Sequence, residues 1–290
     1  MREIILAHMG GPDTADELRM FLRNIFKDRD MIKLPLQGLL GPLIAALRFK
    51  KSLANYEKTG WTPVKKLTIS LAAKLSKIFE NDGLRVRALY THVPPYIEEA
   101  GPDALVLPLY PHYSSVLAGL MEKRLSGRTI IREWHRQGKF LEMTEKNAAN
   151  ALSLLGSGEK TMLFIAHSLP EAVIKNNDPY IRDIEETYRV LAAKFSGFEC
   201  RLAYIGKAGP GKWVGPEASG IIKEAGKRAK KIAVVYLSFP LDNIEVLYDI
   251  DIKLKQEAAD SGAAGFARAV LPNDSGEFTG LMEKVIRENL

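Results

Sequence analysis

Residues 232–237 read Ile-Ala-Val-Val-Tyr-Leu, a run with no polar alternation. A strand with one solvated face alternates, so an unalternating run implies cover on both faces, as in a parallel sheet between helical layers. Working outward, similar short runs occur at 3–7, 85–90, 105–109 and 129–133, and again at 162–166, 201–205 and 267–271. Amphipathic stretches lie between most of them, at 15–26, 67–80, 116–124, 141–155, 179–195, 217–229, 243–259 and 277–289. Asp178 and Pro179 stand where a helix cap and a first helical residue belong. Four strands fall on each side of Gly156-Ser157-Gly158. The pattern predicts an α/β protein of two similar doubly wound, Rossmann-like parallel-sheet domains, 1–156 and 157–290, facing a central cleft. The C-terminal helix is read as able to pack back on the first domain.

Composition narrows the class. A chain of 290 residues has room for about two domains at roughly 150 residues each. With 46% hydrophobic and 26% charged residues it is globular, which excludes disorder, collagen and coiled coil for the whole. The single cysteine, Cys200, excludes an intrachain disulfide or a cysteine-only metal cluster and points to a reducing compartment. The net charge of +6 sits largely on lysine-rich helix faces such as 223–231, without the interleaved aromatics of a nucleic-acid surface. No nucleic-acid partner is expected. No secretory signal is read at the start, which fits a cytoplasmic location.

One segment, LQGLLGPLIAAL at 36–47, is apolar but shorter than the roughly 18 residues of a spanning helix, and Gly38, Gly41 and Pro42 interrupt it. It is either a helix packed on the core or a lip dipping into the bilayer interface, with Arg48, Lys50 and Lys51 meeting the headgroups.

Ligands of open α/β sheets bind beyond the carboxyl ends of the strands. Those ends carry His8 and Met9, His92, Tyr110 and His112, and His167, which follows 162–166 and precedes Ser168-Leu169-Pro170. Histidine there can accept a proton or bind a metal. Asp242, Glu245 and Asp249 fall at i, i+3 and i+7, one face of an α-helix, with Ile244, Leu247 and Leu254 as its buried side. Such a row is either a solvated acidic face or a path for protons or a cation. The loop at 206–212 has the spacing of a phosphate cradle, but Trp213 replaces the required Ser or Thr and Pro210 removes an N–H. It is read instead as presenting Trp213 to the cleft.

Taken together, HMGGPDT from residue 8, FLRNIFKDRDMIKLP at 21–35, LYPHYSS at 109–115, FIAHSLP at 164–170, DPY at 178–180, GPGKWVGP at 209–216 and LDNIEVLYDID at 241–251 are specific. They resemble, in order and across essentially the whole chain, the ferrochelatases, bacterial type without an iron–sulfur cluster. The resemblance implies a chelatase-like fold and an enzyme inserting ferrous iron into protoporphyrin IX to form protohaem, the last step of haem biosynthesis. It implies catalytic and metal-binding roles for His167 and Glu245, and an acidic path through Asp242 and Asp249. It places Met9 and Trp213 near the macrocycle, Arg48, Tyr56 and Thr62 near its propionates, and 36–47 in the apolar lip. Porphyrin and ferrous iron are then substrates, with no permanently bound cofactor, a monomeric state, and peripheral contact with the inner face of the membrane through 36–47.

Three positions depart from the resemblance. Asn243 stands where the family has histidine, and His8 where it has asparagine, so His8 is a possible compensating residue. The glycine run before Ser-Pro shrinks to Gly60-Trp61-Thr62-Pro63. The competing readings are a porphyrin- or haem-binding protein without turnover, and a related chelatase acting on coproporphyrin or cobalt.

Overall fold

Ile4, Ile5, Leu6 and Ala7 are fully buried and form the middle of the first parallel sheet. The computed structural model describes residues 3–32, 34–207 and 211–290. Strand β1 (Glu3–His8) pairs in parallel with β2 (Arg85–Tyr90) and β3 (Leu105–Pro108), and the short β4 (Thr129–Ile130) pairs with β3, giving the order β2-β1-β3-β4. With this sheet go helices α1 (Ala15–Lys27), α2 (Gln37–Thr59), α3 (Val64–Ile78) and α4 (Ala118–Arg124). Thr14 starts α1 by accepting a hydrogen bond from the Glu17 amide, and Glu17 reaches back to the Asp13 amide, which satisfies two otherwise orphaned donors.

The apolar segment at 36–47 does not end at its glycines and proline. It opens the 23-residue helix α2, within which Pro42 is accommodated. The glycines do different things. A Cβ on Gly41 would lie 2.5 Å from the Phe26 carbonyl oxygen, so this glycine lets α1 and α2 approach closely, while a Cβ on Gly38 would meet nothing within 4 Å.

In the second unit α5 (Gly138–Leu154) leads to β5 (Lys160–His167), then α6 (Glu171–Lys175), α7 (Tyr180–Lys194), β6 (Glu199–Ile205), α8 (Ala218–Lys227) and β7 (Lys231–Tyr236). A π-helix (Glu245–Leu254) runs into α9 (Lys255–Asp260) and β8 (Gly265–Arg268). The order β6-β5-β7-β8, all parallel, repeats the topology of the first sheet. The near-continuous apolar strands are therefore the centres of two doubly wound α/β units. Leu163, Ile165, Val234 and Tyr236 pack there with Ile222 and Ile250.

The units divide after Glu133, not at 156. Helix α5 packs against β7, β8 and α7 and so belongs to the second core, and the Gly-Ser-Gly turn is only its exit into β5. Leu241–Ile244 and Asn273–Leu290 belong with the first unit, where α10 (Gly276–Arg287) packs on α3. Ser275 caps α10 through the Phe278 amide, and the Ser70 hydroxyl and Lys74 hold Asp274 beside it.

Glycine substitutions in α2 should therefore have opposite signs. Gly41→Ala should lower the unfolding free energy measured in urea by about 1–3 kcal/mol through overpacking. Gly38→Ala should raise it by up to about 1 kcal/mol through helix propensity.

Candidate active site

In a doubly wound sheet, ligands bind where the winding reverses, beyond the carboxyl ends of the two strands that flank the reversal. In the second unit those strands are β5 and β7, and β5 ends on His167. The tip is tied on both sides: the His167 amide donates to the Ser238 hydroxyl at 2.7 Å, and the Ser168 amide to the Ile205 carbonyl at 2.7 Å.

The His167 imidazole Nδ1 stands 2.7 Å from Glu245 Oε1. The two groups form a close ion pair. The other carboxylate oxygen, Oε2, accepts a hydrogen bond from the Tyr236 phenol at 2.7 Å. A second phenol, Tyr180, meets the Ser238 hydroxyl at 2.7 Å, and the Tyr180 amide is in turn taken by Asp178. The Phe239 ring lies 6.3 Å from that of His167 and 5.8 Å from that of Tyr236. The side chains of His167 and Glu245 keep 27% and 21% of their surface exposed, so the pair is enclosed but reachable.

Gly206 forms one wall. Its φ of +84° favours glycine, and a Cβ there would lie 2.4 Å from His167 Nδ1 and Cε1 and 3.2 Å from Glu245 Oε1. The backbone after β6 thus presses directly on the pair.

Electrostatics follow from the same geometry. Burial pushes the His167 pKa down, but the Glu245 charge and contact, and then the Asp249 charge, outweigh it and leave it raised. Burial pushes Glu245 up, but the imidazolium and the Tyr236 hydrogen bond outweigh it and leave it lowered. The resting pair is therefore imidazolium and carboxylate over a widened pH range. Its stabilisation is fully present between the ordinary carboxyl and imidazole values, and is lost as pH falls through the lowered carboxyl value or rises through the raised imidazole value. Burial, followed by the Glu245 charge, holds the Tyr236 phenol well above its usual value, so it remains a donor.

The acidic row is not a face of one α-helix. The helix from Glu245 to Leu254 is of π type, and Asp242 precedes it. In a π-helix each turn is wider than in an α-helix, because bonding runs i to i+5. Residues four apart then stay close to one face, and the buried side is Val246, Ile250 and Leu254 rather than Ile244, Leu247 and Leu254. Glu245 and Asp249 are likewise four apart, which accounts for the Asp249 charge acting on His167. Asp242 is held separately, its amide donating to Asn273 Oδ1 and its Oδ2 accepting from Asn273 Nδ2, both at 2.8 Å. Asn243 is buried, and its amide donates to the Leu241 carbonyl at 3.1 Å.

Trp213 lies in a segment zipped to the turn after β5, with the Glu171 amide donating to Lys212 and the Val214 amide to Leu169. Among the described residues its buried indole N–H meets no hydrogen-bond acceptor. Of the loop at 206–212, residues 208–210 lie outside those described.

In the first unit, His8 is buried, its Nδ1 accepts the Gly10 amide, and burial lowers its pKa to about 3, so the ring is neutral. Met9 is partly buried and its amide donates to the Tyr110 hydroxyl. Arg48 is exposed, with its guanidinium over the Phe26 ring. Tyr56 is buried against Trp61, and the buried Thr62 hydroxyl has no hydrogen-bond partner among the described residues. The sequence points to His167 and Glu245 and to the loop that Gly206 opens, but gives no role to Tyr236, Tyr180 or Ser238. A tyrosine inside IAVVYL was the available signal, because a buried phenol needs a partner.

The chain has relatives among named proteins and solved structures. The profile of the family described as Ferrochelatase matches residues 2–290. The chain is 32% identical over 308 residues to the Geobacter metallireducens protein named ferrochelatase, covering 98% of this chain and 97% of the other. It is 33% identical over 312 residues to that of Desulfotalea psychrophila (99% and 97%), and 30% over 306 residues to that of Aquifex aeolicus (99% of both). Among solved structures it superposes with a TM-score of 0.61 on CbiX, the terminal enzyme of sirohaem biosynthesis in denitrifying bacteria, over all of both chains at 14% identity. The Deinococcus radiodurans protein DR2241 follows at 0.53, with 10% identity over all of this chain and 55% of the other. At such identities these two speak for the fold alone, a chelatase fold.

Gly206→Ala should separate His167 from Glu245. Divalent-metal binding measured by calorimetry should weaken at least about tenfold, as when the support of a ligand is lost, with a smaller change in melting temperature.

Proposed function

The chain belongs to the ferrochelatase family of metal-inserting enzymes, and from that premise we propose that it inserts ferrous iron into protoporphyrin IX to give protohaem. The observation carrying this reading is the His167–Glu245 pair at the β5–β7 switch point, in a chain that matches the family over residues 2–290. An imidazole nitrogen and a carboxylate oxygen are donors that suit a divalent first-row ion.

Metallation exchanges one divalent ion for two pyrrole protons. In the resting pair His167 carries a proton, which must leave before Nδ1 can hold the metal or accept a pyrrole proton. Entry of the cation favours that loss, because its positive charge repels the imidazolium and takes over the Glu245 carboxylate that stabilised it. Once the metal has moved to the macrocycle, the vacated imidazole and carboxylate are bases placed to take the departing protons. Asp249 is proposed as the next acidic group of this path, and Asp242, held by Asn273, as another. The indole of Trp213 is proposed to pack near the macrocycle, as is Met9, and the Arg48 guanidinium, with Tyr56 and Thr62, to serve the propionates. His8 enters only as a neutral imidazole, since its Nδ1 is engaged with Gly10 and burial keeps it uncharged.

Among the described residues no helix is long and apolar enough to cross a membrane. Yet Leu36, just before α2, and Leu39, Leu43 and Leu47 within it are exposed at 53–75% of their surface, and Arg48, Lys50 and Lys51 follow. We propose that this row rests in the interface of an anionic bilayer.

Two experiments test these readings. With ferrous iron and protoporphyrin under anaerobic conditions, the wild type should form metalloporphyrin over many turnovers. His167→Ala should lose at least about 100-fold in rate while keeping its circular-dichroism spectrum. Stoichiometric pigment binding without turnover by the wild type would instead favour the non-catalytic reading that Asn243 motivates. Faster turnover with coproporphyrin or cobalt would reassign the substrate. For the lip, Leu39→Asp with Leu43→Asp should reduce co-sedimentation with anionic liposomes and leave the melting temperature nearly unchanged. A large fall in stability would place these leucines in the core.

A further inference from the structure

Tyr236 is the last residue of β7 and the only polar side chain in Ile232–Tyr236, a stretch whose other residues are aliphatic. It is 3% exposed, so a phenylalanine would fill the same space without a hydroxyl needing a partner. The acceptor that this hydroxyl finds is Glu245 Oε2, on the same carboxylate whose Oε1 faces His167. We propose that Tyr236 is a positioning residue for metal capture, holding the Glu245 carboxylate so that Oε1 and His167 Nδ1 present a preformed pair of donors to the incoming ion. This rests on the reading of His167 and Glu245 as the metal site.

The terminal torsion of a glutamate is broad, so a carboxylate held by one contact can turn. Here both oxygens are fixed, one 2.7 Å from an imidazole and the other 2.7 Å from a phenol, and two fixed points set the orientation of the group. The phenol is itself placed by its strand and by the Phe239 ring, which also flanks His167. When an ion inserts between imidazole and carboxylate, Oε1 must shift by a fraction of an ångström while Oε2 stays tethered. Tyr236 contacts Glu245 and needs no contact with the metal or the porphyrin. A residue of this kind changes affinity for the ion through its neighbour, and its loss typically costs about 10–100-fold.

The test uses the full chain and Zn²⁺ as an air-stable probe, without porphyrin. Tyr236→Phe should weaken Zn²⁺ binding by calorimetry about 10–100-fold. In steady-state metallation it should raise the KM for metal and leave that for porphyrin unchanged. In a Glu245→Ala background, adding Tyr236→Phe should weaken Zn²⁺ binding no further, because no carboxylate remains to be held. That background also covers the case in which Tyr236→Phe lowers the melting temperature. An unchanged affinity in the single variant, or an equal loss with and without Glu245, overturns the assignment. The binding arm decides Tyr236 by itself, whereas a wild type that binds Zn²⁺ but makes no metalloporphyrin overturns the proposed reaction.

Discussion

An imidazole and a carboxylate 2.7 Å apart inside a protein attract each other strongly, and each would be costly to bury alone. The second unit is arranged around this pair of His167 and Glu245. Removal of either partner leaves the other as an uncompensated charge, and replacement of the imidazolium proton by a divalent ion leaves both satisfied. The pair is therefore at once a structural ion pair and a cation site in waiting. Which role dominates is set by whether a cation is present.

Three features of the fold keep the pair assembled. The parallel order β6-β5-β7-β8 puts the end of β5 beside the end of β7, which brings His167 next to Ser238 and Tyr236. The turn after β6 passes so close that residue 206 has room for hydrogen alone. The helix that follows β7 opens as a π-helix, along which Glu245 and Asp249 lie four residues apart while Val246, Ile250 and Leu254 enter the core. These devices differ in kind, being topology, steric exclusion and helix pitch, yet each acts on the same two side chains.

The sequence made some of this legible and hid the rest for physical reasons. Unalternating runs such as IAVVYL could only be strands covered on both faces, so the two doubly wound sheets were readable. His167 was readable because it follows such a run directly. The boundary at 156 was misread because a Gly-Ser-Gly turn marks a change of direction, whereas a domain boundary follows packing, and α5 packs forward. The helix at 243–259 was assigned an α period because side-chain spacing alone does not tell i+4 from i+5 bonding. Gly41 looked like an interruption because its purpose lies in a carbonyl of another helix, 2.5 Å from where its Cβ would be. Tyr236 was hidden by its own burial: within an apolar run it counts as apolar, and only its partner shows why the hydroxyl is there.

The central claim, that His167 and Glu245 are the ligands of the ion to be inserted, is open to direct sight. Crystals of the chain soaked in Zn²⁺ and measured at the zinc edge would locate the ion by anomalous scattering. A peak is expected between His167 Nδ1 and Glu245 Oε1, at about 2.0–2.2 Å from each, with Tyr236 still hydrogen-bonded to Oε2. A zinc ion bound elsewhere, with the 2.7 Å contact between imidazole and carboxylate left intact, would contradict it.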